Sequence, residues 1–189
     1  MMNRQHLMTY LSNEWQKHAM KIHYIEISGK KFDELEYHID LIKKIEKEWF
    51  SPIDSKGLNR GLNQLPDQGM LSFLGYHVGG KNAPNDYKRQ AIIKGVFRAR
   101  FLPLIGSAGY LSQWGSAQSI ERLRKLTWCL EGFIRNAEPQ RRDMRNSITR
   151  WGADLCFLKE TFEADRFVSR PVHRNASRTL ERAQHFAHQ

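Results

Sequence analysis

The sequence predicts an all-α protein: a helical bundle organised around an antiparallel hairpin over residues 116–163. Three observations predict it. Met144, Ile148, Trp151, Leu155, Leu158 and Phe162 recur at alternating steps of four and three, a stripe that a strand's period of two cannot produce. Ile120, Leu123, Thr127, Leu130 and Ile134 keep the same rhythm. Between the two runs stand Asn136, a residue tolerant of positive φ and suited to a helix stop, and Pro139, suited to a first helical position.

Taken in order, Asn3 to Met20 reads as an amphipathic helix, because Leu7, Leu11 and Trp15 fall at steps of four. Lys21 to Ile27 leaves two readings open. Its alternation of Ile22, Tyr24 and Glu26 with His23, Ile25 and Ile27 fits a short strand, and the helix continuing fits as well. Ser28-Gly29 breaks either one. Lys31 to Trp49 is helical again, with Phe32, Leu35, Ile39, Ile42 and Trp49 as its stripe. Glu46 interrupts that stripe where the adjacent Ile45 can supply the apolar contact. Its acids lie early (Asp33, Glu34, Glu36) and its lysines late (Lys43, Lys44, Lys47), which complements the helix dipole.

Ser51-Pro52 stops this helix, and residues 51–69 form a linker anchored by Leu58, Leu62 and Leu65. Gly69 to Val78 is a short buried element, and Gly79 to Pro84 a turn. Asn85 or Asp86 then caps a helix running to about Phe101, with Ile92, Ile93, Val96 and Phe97 inward. Leu102-Pro103 ends it, Gly106 to Gly115 is a loop carrying Tyr110 and Trp114, and Ser116 is the expected N-cap of the first hairpin helix. After Glu163 come Arg166, Arg170, Arg174, Arg178 and Arg182, one basic residue every four positions, interrupted by Pro171. Three parts follow: a neutral helical part and linker over 1–68, a basic core over 69–165 and an Arg-rich arm over 166–189.

The 40% hydrophobic and 11% aromatic content is that of a folded chain. No apolar run approaches the roughly 20 residues of a membrane span, and residues 1–6 have no apolar signal region. The expected setting is the cytoplasm, with Cys129 and Cys156 as reduced, packed thiols. Charge carries the functional information. Residues 1–80 hold 10 basic and 10 acidic side chains, whereas residues 81–189 hold 20 basic and 10 acidic, and there Arg outnumbers Lys 15 to 5. The guanidinium grips phosphate bidentately, so the natural partner of such a half is DNA or RNA.

Gly75-Tyr76-x-Val78-Gly79, Arg89-x-x-Ile92, Leu102-Pro103, Trp114-Gly115, Ser119-x-x-Arg122-Leu123 and Trp151-x-x-Asp154-Leu155-x-x-Leu158 together resemble a helical module of uncharacterised bacterial proteins over about residues 69–162. The resemblance implies a bacterial, intracellular setting and supplies no activity.

Three basic clusters are candidates for phosphate contact. Lys81, Lys88, Arg89, Lys94, Arg98 and Arg100 surround one helix; with the short element before it they follow helix-turn-helix logic, Tyr87, Lys88, Arg89 and Gln90 being the residues that would reach bases. Arg124, Arg141, Arg142, Arg145 and Lys159 belong to the hairpin, where Trp128 shares a face with Arg124 and Arg135 and could stack a base or a partner. Tyr110 and Trp114 are further candidates for such a contact. Arg170, Arg174 and Arg178 make the third cluster, an arm that lies along phosphates or docks as a helix. A second class of function is a helical accessory subunit of a larger bacterial assembly, docking through Trp15, Phe32, Trp49 and Phe50. A third, a nuclease, would need Asp54 and Lys56. No P-loop, GxGxxG, HExxH or Gly-x-Ser-x-Gly is present, so no cofactor, metal or catalytic residue is expected.

Overall fold

A computed structural model describes residues 4–29, 32–50, 69–103 and 105–162. Among them the chain is all-α: seven helices, no strand. We number these α1 (Arg4–Ser28), α2 (Phe32–Phe50), α3 (Met70–Phe73), α4 (Asp86–Arg98), α5 (Ala108–Ser112), α6 (Ile120–Ala137) and α7 (Arg141–Phe162); a 3₁₀ turn, Glu138–Gln140, joins the last two. Two antiparallel pairs, α1 with α2 and α6 with α7, pack into a bundle. Between them runs α4, which touches α1, α3, α6 and α7.

The hairpin forms as its stripes dictate. Leu123, Leu130 and Ile134 from α6 meet Leu155 and Leu158 from α7, all buried, with Ile148, Trp151 and Phe162 packed at their edge. Ile120 stands apart, exposed at the first turn, and Leu126 takes a core position beside the stripe. Ser119, not Ser116, is the N-cap: its Oγ accepts from the Arg122 amide at 3.1 Å. The turn before it explains the shift. Gly115 has φ +63°, and a Cβ there would lie 2.7 Å from Cβ of Glu121 and 2.9 Å from Oγ of Ser119. Gln118 follows at φ +57°, its amide donating to the Phe97 carbonyl at 2.9 Å, so right-handed helix cannot begin earlier.

Residues 21–27 are helix, the continuation of α1 rather than a strand. Leu11, Trp15, Ala19 and His23 are all buried at steps of four, and the polar His23 is what obscured the continuing face. Asn85 caps α4 by accepting from the Lys88 amide at 2.9 Å. The helix ends at Arg98, three residues short of Phe101. Within the expected 106–115 loop lies the single-turn α5, capped by Ser107.

One core draws on every described helix except α5, whose Tyr110 and Leu111 pack at its margin. Trp15 of α1 packs tilted against Trp49 of α2, ring centroids 6.0 Å apart, and lies directly on Gly95 of α4. A Cβ at Gly95 would come within 2.5 Å of the Trp15 ring. No helix among the described residues is long and apolar enough to cross a membrane.

Candidate nucleic-acid interface

Where the fold puts each cation decides which can meet a phosphate. Arg89 cannot: it is 1% exposed. Its Nε donates to Asp154 Oδ2 at 2.7 Å, Nη2 to Asp86 Oδ1 at 2.8 Å and Nη1 to the Pro84 carbonyl at 3.0 Å. Tyr76 Oη donates to the same Asp154 oxygen at 2.7 Å. Burial works against the Arg89 charge, but the Asp154 and Asp86 carboxylates outweigh it and hold the guanidinium above its usual range. Burial and the Asp154 carboxylate keep the Tyr76 phenol protonated. This cluster ties α4 to α7 and leaves no ligand face. With Arg89 goes the helix-turn-helix reading. Tyr87 is spent on the Met20 carbonyl at 2.5 Å, and α4 is the central helix of the bundle, its Ala91, Ile92, Ile93, Val96 and Phe97 all buried.

Arg98 is 42% exposed and also has a partner within the chain. Its Nη1 pairs with Glu26 Oε1, while Lys94 takes Glu26 Oε2 at 2.5 Å. Trp114 is completely buried. Tyr110 is half-buried, its hydroxyl accepting from the Met70 amide at 2.8 Å and its ring edge-on to Trp114 at 6.3 Å. Neither aromatic is a stacking platform. Trp15 and Trp49, expected as docking material, are core residues.

Other positions face outward. Arg124, Arg135, Arg145 and Arg150 are exposed on the α6–α7 pair, and Lys88 is half-buried at the start of α4. Arg135, Arg145 and Arg150 make no ion pair among the described residues. Trp128 is 58% exposed. At about 100° per residue, Arg124, Trp128 and Arg135 share the outer face of α6, with Glu121 and Glu131 beside them. Lys125 Nζ sits 4.3 Å from the Trp128 ring centroid and donates to Gln113 Oε1 at 2.7 Å. That cation–π contact fixes one side of an exposed indole. The side chains of Arg141 and Arg142, and all of Asp54, Lys56, Arg170, Arg174 and Arg178, lie outside the described residues.

Two residues outside the sequence-derived site set prove central to its framework. Arg122 is 3% exposed and donates to four carbonyls: Val96 at 3.1 Å, Ala99 at 2.6 Å, Trp114 at 3.2 Å and Gly115 at 2.7 Å. Burial pushes its pKa down to about 10, the Glu46 carboxylate opposing, so it remains charged at neutral pH. Glu46, also buried, accepts from the Arg100 amide at 3.0 Å and the Phe101 amide at 3.4 Å. Its interruption of an apolar stripe was the sequence signal. For Arg122 there was only its place in a spaced motif.

No model of a known protein family matches the chain, and neither the curated proteins nor the solved structures compared with it yield a match.

Proposed function

We propose that this is a non-catalytic nucleic-acid-binding protein that contacts the phosphate backbone of DNA or RNA through exposed arginines of the α6–α7 hairpin. The observation that carries the reading is an exposed tryptophan, Trp128, between Arg124 and Arg135 on one helix face, within the half of the chain that holds the whole net charge of +10. Guanidinium groups neutralise phosphates while an aromatic face takes an unpaired base. Arg145, Arg150 and the Arg-rich 166–189 extend the positive sequence.

Binding to labelled duplex, single-stranded DNA and RNA, titrated with salt, tests it. Affinity should fall steeply with salt, and Arg141→Gln, Arg142→Gln and Arg145→Gln together should weaken binding to every sequence alike. Trp128→Ala should cost single strands about 1–3 kcal/mol and duplex less. Full affinity in both variants would remove the hairpin from the proposal.

A second reading has its own observation. Tyr10, Tyr24, Ile27 and Tyr37 are all at least half exposed on α1 and α2, apolar surface suited to an accessory subunit that docks a larger bacterial protein. Size-exclusion with light scattering, with and without nucleic acid, separates the two: a chain that self-associates and ignores nucleic acid favours docking.

A further inference from the structure

A cavity of about 340 Å³ lies between α1, α2 and α4, within the range of roughly 300–1,000 Å³ typical of small-molecule sites. Trp15, Ala19 and Ala91, all buried, line it with Ile22, Ile39 and Ile42, and the buried Glu46 lines it too. Further charged groups complete the lining. There Lys94 and Arg98 converge on the single carboxylate of Glu26, so three charged groups leave one positive charge over. His23 adds none, because burial and then Lys94, whose Nζ is 3.3 Å from its Nδ1, hold the imidazole below its ordinary value. The other carboxylate of the lining, Glu46, is taken by the Arg100 and Phe101 amides. Both acids already accept from donors of the protein.

We propose that this cavity binds a small amphipathic anion, a medium-chain hydrocarbon with a carboxylate or phosphate head, its chain against Trp15, Ile39 and Ile42 and its head on Arg98 and Lys94. Arg98 suits that role: it is 42% exposed, and Nη1 is its contact with Glu26, in a group carrying five N–H donors. The binding is independent of the nucleic-acid reading.

Isothermal titration of the full chain with decanoate, decyl phosphate, decan-1-ol and decylamine tests this, each below its micellar concentration. Saturable one-to-one binding is expected for decanoate, for decyl phosphate or for both, and the stronger names the head group. Decanol and decylamine should bind at least about tenfold more weakly, the worth of one charge-assisted hydrogen bond. Arg98→Gln should weaken the anion by about the same factor with thermal stability kept. Ile39→Trp should fill the space and abolish binding; if that variant does not fold, Arg98→Gln decides. Failure of both anions to saturate, equal binding of decanol, or unchanged affinity in Arg98→Gln overturns the proposal.

Discussion

Arg122 shows how much a single side chain can organise. Its fork gathers carbonyls from the end of α4 and from the turn that leads into α6, groups that a helix terminus otherwise leaves without partners. Arg122→Met should therefore destabilise by about 3 kcal/mol or more, with the buried carbonyls left unsatisfied. Arg122→Lys, a point charge without the fork, should recover only part of that in urea unfolding. Glu46 does the reverse job for amides. Burial, opposed by its two amide bonds, raises its carboxyl above the ordinary value. Between the unfolded and folded values the native state holds more protons, so Glu46 stability is present at low pH and declines as pH rises through that window. Glu46→Gln should remove the decline, while Glu46→Ala should cost about 1–3 kcal/mol at all pH values by orphaning the amides. None of this was legible from residue type. Formal charge counts Arg89 and Arg122 with Arg124 and Arg145, and only the fold separates those that hold the protein together from those that face water.

The elements were more legible, because apolar spacing reports burial directly. The α6–α7 stripes gave the hairpin, and Asn85 gave the start of α4. What the pattern concealed was polar residues on inward faces. His18 of α1 and His38 of α2 are both buried, with their Nδ1 atoms 2.9 Å apart, so one ring donates and the other accepts. Burial first, and then His38, holds the His18 imidazole below its ordinary value, with Lys17 adding to the effect and Glu14 opposing. For His38 burial again leads, with Lys21 and Lys17 acting the same way and Glu34 against. Between these lowered values and an unfolded value of about 6.5 the unfolded chain binds more protons. Stability should thus fall as pH drops below about 6.5, and His18→Gln with His38→Phe should flatten the slope, as read from denaturation midpoints at a series of pH values. The α1–α4 contact is equally exacting. Gly95→Ala places a Cβ against the Trp15 ring, a rigid neighbour, and should cost about 1–3 kcal/mol through overpacking.

At the scale of the whole molecule the charge balance divides into two accounts. Arg89, Lys94 and Arg98 serve internal carboxylates and Arg122 serves backbone carbonyls, but because the paired carboxylates are subtracted in the same total, these pairs do not reduce the net charge. The exposed cations of the described residues include Lys81 and Arg100 as well as Arg124, Arg135, Arg145 and Arg150 of α6 and α7. Each phosphate contact contributes about 0.9 to the slope of log affinity against log salt on duplex and about 0.7 on single strands. Replacing Arg124 and Arg135 together by Gln should lower that slope by up to about two such steps on duplex, whereas Lys94→Gln should leave it unchanged. The sequence located this excess in the second half but could not assign it to a surface, since charge has no period that reports which way it points. The contrast among the tryptophans has a spectroscopic use. Trp15, Trp49 and Trp114 are shut away from water, Trp151 is half-buried and Trp128 is open to it, so acrylamide should quench most strongly the red-shifted emission of Trp128. The chain thus carries its own optical reporter on the outer side of α6, and any occupant of that face, nucleotide or protein, would announce itself as lost quenching without a label being attached.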